Sequence, residues 1–543
     1  MKTQKHLKKR KENIISMTNH ELDVRNLSLE EKIGQLLMFG FDGTSVTDET
    51  IEMIKKYKAG NVILFTRNIT SGKQLKQLNQ TLQKLAYEHI GIPMFIGIDQ
   101  EGGMVTRIQQ GATFFPGAMT LAANGSINDT YQIADYMGYE LKKLGVNMNF
   151  APVLDVNNNP KNPVIGVRSF SDDPKVVSEF GSAYIKGMQN HVIATGKHFP
   201  GHGDTVVDSH LGMPKVDYDR ERLENIEFVP FKKAIGDGLL AMMSSHIDFP
   251  ALTKNGLPTT LSKEVMTDLL RDEFKFEGLI VTDGMQMKAI ADNYGTVNAS
   301  LMAVEAGVNI YCICHSRELQ IESLEYIKEA VETGKISESL IDERVKRILD
   351  FKKTMIAPIN LNETYEDVSE DILRPEAVDL SYKVVEGAAS LIKGEPLRLK
   401  PKALFVGIMP KATTIADERL GHHDMFEMIE NEMATLDVVK LSIRPDDKDI
   451  ESVFIKAAQY DQLVVTTYNG NVYQEQIDLI DKLSKLKKEM HVIALRNPYD
   501  LYYSKNIKNY VCLYEYTPNS MKVLLKYLKG DLELKGKVPV KYE

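Results

Sequence analysis

The sequence predicts an α/β protein: a (β/α)8 TIM-like barrel followed by a smaller α/β sandwich domain. Three observations carry this expectation. Apolar strand-like runs recur eight times in the first part of the chain, with helical segments between them. The runs are continuously apolar rather than alternating, which is the pattern of a parallel sheet covered on both faces. Polar, titratable residues follow the C-terminal ends of these runs, the face on which barrel enzymes carry their chemistry.

In order, the runs are Leu36 to Phe41, Asn61 to Phe65, Met94 to Ile98, Asn147 to Val153, Val192 to Ala194, Ala241 to Ser244, Gly278 to Val281 and Val308 to Ile313. Ser28-Leu-Glu-Glu31 is a capping-box pattern that starts a helix before the first run. Ile341 to Phe351 reads as a closing amphipathic helix, and Pro358, Asn360, Asn362, Ser369 and Pro375 mark a linker. A helix and a strand follow over Ala377 to Lys393. Buried strands are then expected at Lys402 to Ile408, Gln462 to Thr467 and His491 to Leu495. The expected division is a disordered or partly ordered tail at 1–23, a catalytic barrel at 24–356, a linker and connecting helix at 357–394, and the sandwich at 395–543.

The chain has 543 residues, 43% of them hydrophobic and 26% charged, with a net charge of −9, so a nucleic-acid partner is not expected. The basic opening Lys8-Lys-Arg-Lys11 reads as a solvated tail. Neither an export signal nor a membrane span is apparent. Cys312 and Cys314 share one face of a strand and, with Cys512, imply no disulfide framework; a cytoplasmic location is expected.

The densest chemistry lies in one stretch, where Lys197, His198, His202, Asp204, Asp208 and His210 are separated by Gly196, Pro200, Gly201 and Gly203. An imidazole titrates near neutral pH, so His210 suits an acid that later acts as base, with Asp208 two residues away to orient the ring. The same loop is compatible with a metal site using His198, His202 and His210. Lys197 beside His198 argues against that reading. Asp283, at the end of the seventh run, can serve as a nucleophile or equally as a helix cap. Asp99, Arg107, Arg168, Lys197 and His198 offer donors and acceptors of both signs, which suits an uncharged, polyhydroxylated ligand. His422-His423 reads as a solvated loop pair.

Four motifs in order carry a resemblance. They are Ile98-Asp-Gln-Glu-Gly-Gly103 with Arg107; Asp155-Val-Asn157 through Asn162-Pro-Val-Ile-Gly-Val-Arg-Ser-Phe170; Lys197-His-Phe-Pro-Gly-His-Gly-Asp-Thr205 with Asp208-Ser-His210; and Val281-Thr-Asp-Gly-Met285. Together they resemble glycoside hydrolase family 3, and the Asp-Ser-His form is similar to its β-N-acetylglucosaminidase branch. The resemblance implies a retaining exo-β-N-acetylglucosaminidase acting on muropeptide or other GlcNAc-containing oligosaccharides. Asp283 would form a covalent glycosyl-enzyme, with His210 as acid/base and Asp208 polarising it. Asp99, Arg107, Arg168, Lys197 and His198 would hold the non-reducing sugar. No cofactor and no metal are implied, and the expected partner is a small carbohydrate, the protein being a monomer or weak dimer. A histidine base does not repel an anion as a glutamate would, so a phosphorylase of the same family is the alternative. The rivals from other classes are the His/Asp metal-dependent hydrolase and a non-catalytic sugar-binding protein. Gly284 departs from the pattern, standing where many relatives carry a larger or acidic residue.

Overall fold

The computed structural model describes residues 14–15, 22–206, 212–356, 359–410 and 424–543. Eight parallel strands close into a barrel: β1 (Leu37–Phe39), β2 (Asn61–Leu64), β3 (Phe95–Ile98), β4 (Met148–Asn149), β5 (Ile193–Phe199), β6 (Ala241–Ser244), β7 (Leu279–Gly284) and β8 (Ile310–Ile313). β1 pairs with β8 to complete the ring, with Met38 opposite Cys312. Apolar side chains of the strands are buried, as expected where helices cover the outside and side chains fill the inside.

Buried asparagines help to set the register. Asn61 at the start of β2 donates to the Gln35 and Leu37 carbonyls (2.7 and 3.1 Å). Asn147, before β4, accepts from the Ile96 amide at 2.8 Å, and Asn309, before β8, accepts from Ile280 at 2.9 Å. Ser28 caps the helix Leu29–Leu36: its hydroxyl accepts from the Glu31 amide, and Glu31 accepts from the Ser28 amide.

Two features differ from the sequence expectation. β5 continues past Ala194 to Phe199, so Lys197 and His198 lie in the strand itself and not on a loop after it. Charged side chains disguise the extension, but the backbone remains paired: Lys197 N–H donates to the Pro152 carbonyl and its carbonyl accepts from Leu154. At the other end, Ile14–Ile15 pairs antiparallel with Ile359–Asn360, inside the stretch that reads as linker.

The second domain is a six-stranded sheet in the order β9-β14-β13-β12-β10-β11. Its strands are β9 (Ser390–Lys393), β10 (Ala403–Ile408), β11 (Asp437–Leu441), β12 (Gln462–Thr467), β13 (Glu489–Ala494) and β14 (Asn509–Cys512). Only β9 is antiparallel to its neighbour. β11 is an edge strand with mostly half-exposed or exposed residues, so it lacks the apolar run that reveals β10, β12 and β13. Helices including Gln474–Ser484 and Pro518–Leu528 cover the sheet.

Candidate active site

The C-terminal ends of the barrel strands surround a cavity of about 330 Å³. Asp99, Arg107, Arg168, Lys197, His198 and Asp283 all line it. Asp208 and His210 lie outside the described residues, as do His422 and His423.

Each side chain arrives by a local device. After β3 the chain turns at Gly102 and Gly103, both at positive φ (93° and 56°), where a residue with Cβ would be strained. Gln100 Oε1 then accepts the backbone N–H of Arg107 at 2.9 Å and folds the loop back. This brings the Arg107 guanidinium to within 3.6 Å of Asp99 Oδ2. The long loop after β4 is pinned by Asn162, which accepts from the Val164 and Ile165 amides and donates to the His202 and Gly203 carbonyls. A 3-10 turn at Gly166–Arg168 then directs Arg168 inward.

Glu101, whose position in the sequence predicts no role of its own, sits at the centre of the charge network. Arg168 grips it with two parallel bonds, Nε to Oε2 at 3.0 Å and Nη2 to Oε1 at 2.7 Å. Lys197 Nζ lies 2.7 Å from Glu101 Oε1 and 2.8 Å from Asp99 Oδ1. Burial raises the Glu101 carboxyl, but Arg168 and Lys197 outweigh it and hold the group well below the usual carboxylate range. Burial would lower the Arg168 guanidinium, yet Glu101 holds it above its ordinary value. Two cations buried side by side call for a nearby anion, and Glu101 meets that need for Arg168 and Lys197.

Asp155 is the second residue left unassigned. Fully buried, it accepts from the His198 backbone N–H (3.1 Å), the His202 backbone N–H (2.6 Å) and, through Oδ2, lies 2.7 Å from His198 Nδ1. One carboxylate thus orients the His198 ring and closes the turn after β5. Burial raises the Asp155 carboxyl, but the neighbouring His198 more than offsets this and leaves it lowered. His202 packs its ring edge-on to His198 and bonds Thr205 Oγ1 at 2.8 Å across the turn. Burial, then the neighbouring His198, lowers its pKa to about 4. Gly203 is required by close approach: a Cβ there would lie 1.7 Å from the Val156 carbonyl oxygen.

Asp283 is half-buried at the end of β7, where its Oδ1 accepts the Gly284 N–H at 2.7 Å. His246 at the end of β6 is bonded to the Gly284 carbonyl and to Thr260, which fixes this corner. A Cβ at Gly284 would meet only ordinary contacts, Met287 at 3.8 Å and Cys314 Sγ at 4.0 Å. Cys312 and Cys314, both buried and unpaired, line the same cavity. Burial, then Asp283, raises the Cys314 thiol to about 12, so it stays protonated and neutral. Among the described residues, no group of three or more His, Cys, Asp or Glu is placed to hold a metal ion, and no helix is long and apolar enough to cross a membrane.

Comparison with known proteins agrees with this geometry. Residues 28–351 match the Glycosyl hydrolase family 3 N terminal domain. Beta-hexosaminidase A of Pseudoalteromonas piscicida is 39% identical over 335 residues, 57% of this chain and 56% of that protein, so the chain spans little more than half of that relative's length. A beta-hexosaminidase of Nitrosomonas eutropha is 32% identical, the match covering 64% of this chain and 99% of that one. The solved glycoside hydrolase family 3 beta-N-acetylglucosaminidase from Paenibacillus sp. superimposes with a TM-score of 0.87 at 36% identity, covering 95% of this chain and 99% of its own. A family domain that spans residues 28–351, and so the whole barrel, decides the assignment: the chain belongs to glycoside hydrolase family 3.

Proposed function

We propose that the protein is a retaining exo-β-N-acetylglucosaminidase that removes terminal GlcNAc from muropeptide fragments or related oligosaccharides. One observation carries the reading. Asp283 opens into the same cavity as Asp99, Glu101, Arg107, Arg168, Lys197 and His198, so a nucleophile and a polyol-binding set share one space. That volume is at the small end of ligand sites, as suits a single sugar ring. The hydroxyls can both donate to the carboxylates and accept from the cations. The beta-hexosaminidase and beta-N-acetylglucosaminidase relatives support the choice of GlcNAc.

In the proposed reaction an Asp283 oxygen attacks the anomeric carbon as the glycosidic C–O bond breaks. His210, polarised by Asp208, gives its proton to the departing oxygen. His210 then takes a proton from water, which displaces Asp283 and releases the sugar with retained configuration. This replaces one carboxylate of the usual retaining pair with an imidazole. Three unpaired, buried cysteines fit a reducing compartment, consistent with cytoplasmic action on imported fragments.

The test is turnover of 4-nitrophenyl N-acetyl-β-glucosaminide against the corresponding glucoside, with and without phosphate, followed by identification of the products. Preferential release of GlcNAc as the β-anomer is expected. Absence of GlcNAc-glycoside turnover overturns the reading, and formation of a sugar 1-phosphate moves the acceptor from water to phosphate.

A further inference from the structure

The barrel supplies every described side chain of the sugar site, but it does not hold the site's long loop alone. Three side chains of the second domain bond to that loop at separate points. Tyr499 OH and Asn157 Nδ2 are 2.6 Å apart; Asn471 Nδ2 donates to the Pro160 carbonyl at 2.9 Å; and Asn497 Oδ1 accepts the Val167 backbone N–H at 3.2 Å. Val167 immediately precedes Arg168. Asn497 is itself oriented by Asn471, to which its Nδ2 donates at 3.3 Å. The fit is close: a Cβ on Gly166 would lie 2.5 Å from Asn497 Oδ1.

The domain that carries these groups is fixed to the barrel by a buried carboxylate. Glu515 accepts from the Gly117 N–H (2.9 Å) and Thr120 Oγ1 (2.7 Å) on the barrel side, and from Thr517 within its own domain (2.8 Å). Asn497, Tyr499 and Glu515 are all nearly inaccessible to solvent. The contact is therefore buried and made through specific hydrogen bonds, unlike an incidental surface touch between domains.

We infer that Asn497 is a positioning residue for Arg168: the second domain completes the sugar site by holding the backbone from which Arg168 reaches Glu101 and the cavity. The inference rests on the proposed role of Arg168 in binding the sugar. A guanidinium aimed at a ligand works only if its backbone is held, because a small displacement at Val167 is carried out along the whole side chain. Arg168 contacts the sugar before and during reaction, so loosening it weakens ground-state and transition-state binding alike. That predicts a KM effect with little change in kcat.

The experiment is a set of full-length variants assayed on 4-nitrophenyl N-acetyl-β-glucosaminide. Asn497→Leu keeps the branched shape but removes the acceptor, and KM is expected to rise about tenfold with kcat within about threefold of wild type. Asn497→Asp keeps the acceptor for Val167 but loses the donor to Asn471, so its KM is expected about threefold above wild type, between wild type and Asn497→Leu. In an Arg168→Ala background, Asn497→Leu is expected to add less than about twofold, because the residue it positions is gone. KM is read only from active molecules, so partial misfolding lowers the apparent maximal rate without mimicking the effect. Gly166→Ala crowds the same contact from the barrel side and is expected to raise KM in the same direction. A wild-type KM in Asn497→Leu, or full additivity with Arg168→Ala, overturns the inference while leaving the sugar site standing. An Arg168→Ala enzyme with unchanged KM overturns the sugar-binding role itself.

Discussion

Replacing Glu101 with Gln tests the centre of the charge network. The carboxylate is the shared partner of two buried cations, with Arg168 at 3.0 and 2.7 Å and Lys197 at 2.7 Å. The side chains of all three are at most 7% exposed. Removing one member of a buried ion pair costs about 3–5 kcal/mol, because the remaining charge is left without compensation. Gln retains one carbonyl acceptor, and Lys197 keeps Asp99, so the lower end of that range is expected, about 3 kcal/mol. Expressed in the transition state this is a loss of about 10²-fold in kcat/KM. The effect should divide between catalysis, read on 4-nitrophenyl N-acetyl-β-glucosaminide, and stability, read as the thermal unfolding midpoint. The acid limb supplies a second readout. Glu101 is held below its unfolded pKa, so its stabilisation is complete above about pH 4.3 and fades only as pH falls toward the folded value. Wild type should therefore lose more stability than Glu101→Gln as the pH drops below 4.3. A Glu101→Gln enzyme with activity and midpoint within error of wild type would refute the reasoning, since two buried cations would then need no anion.

Asp283→Ala should lower kcat by about 10³-fold or more without shifting the melting midpoint, since the residue is half-buried and the loss is chemical; retention of full turnover removes Asp283 as nucleophile. His210→Ala should lower kcat on 4-nitrophenyl N-acetyl-β-glucosaminide by about 10²–10⁴-fold, and a wild-type kcat would remove it as the acid/base. His202 has a folded pKa lowered to about 4 from 6.5, so it favours the folded state above pH 6.5 and that contribution is lost as the pH falls toward 4. Its loss amounts to about 3 kcal/mol, and the fall in melting midpoint over that window should be shallower in His202→Asn. Gly203→Ala, with its Cβ driven into the Val156 carbonyl, should destabilise by at least about 1–3 kcal/mol in thermal melts and raise KM.

The sequence made the barrel legible because its strands are apolar runs that differ in kind from the surrounding helices. β5 shows where such reading stops. Its apolar part ends at Ala194, but backbone pairing with the chain at Pro152 and Leu154 carries the strand on through Lys197 and His198. Pairing depends on the partner strand, and no local composition reports it. The six described residues expected at the site do share one cavity, because each stands beside a strand end or a glycine turn that a local motif reveals. Glu101 was visible inside one of those motifs, yet its role follows from Arg168 and Lys197, which are remote in sequence and meet it only through the fold. Asn497 lies 330 positions from Val167, and nothing near it in the chain distinguishes it from any polar loop residue.

Charge balance explains why those concealed partners matter. The cavity's wall carries Arg107, Arg168 and Lys197 beside three carboxylates, Asp99, Glu101 and Asp283, and the exposed Lys288 also lines it. Without Glu101 the set would hold an excess of positive charge and would favour an acidic ligand. With it each of the buried cations Arg168 and Lys197 has a carboxylate beside it, and the cavity presents fixed donors and acceptors. That is the condition for binding a neutral sugar: each hydroxyl meets a strong partner, while the cations are compensated by neighbouring carboxylates and need no counter-ion from the ligand. Burial enforces the arrangement, since an uncompensated charge at this depth would be expensive in the empty enzyme. The same network that makes the site tolerable to the folded protein therefore also suits the uncharged sugar proposed as its ligand.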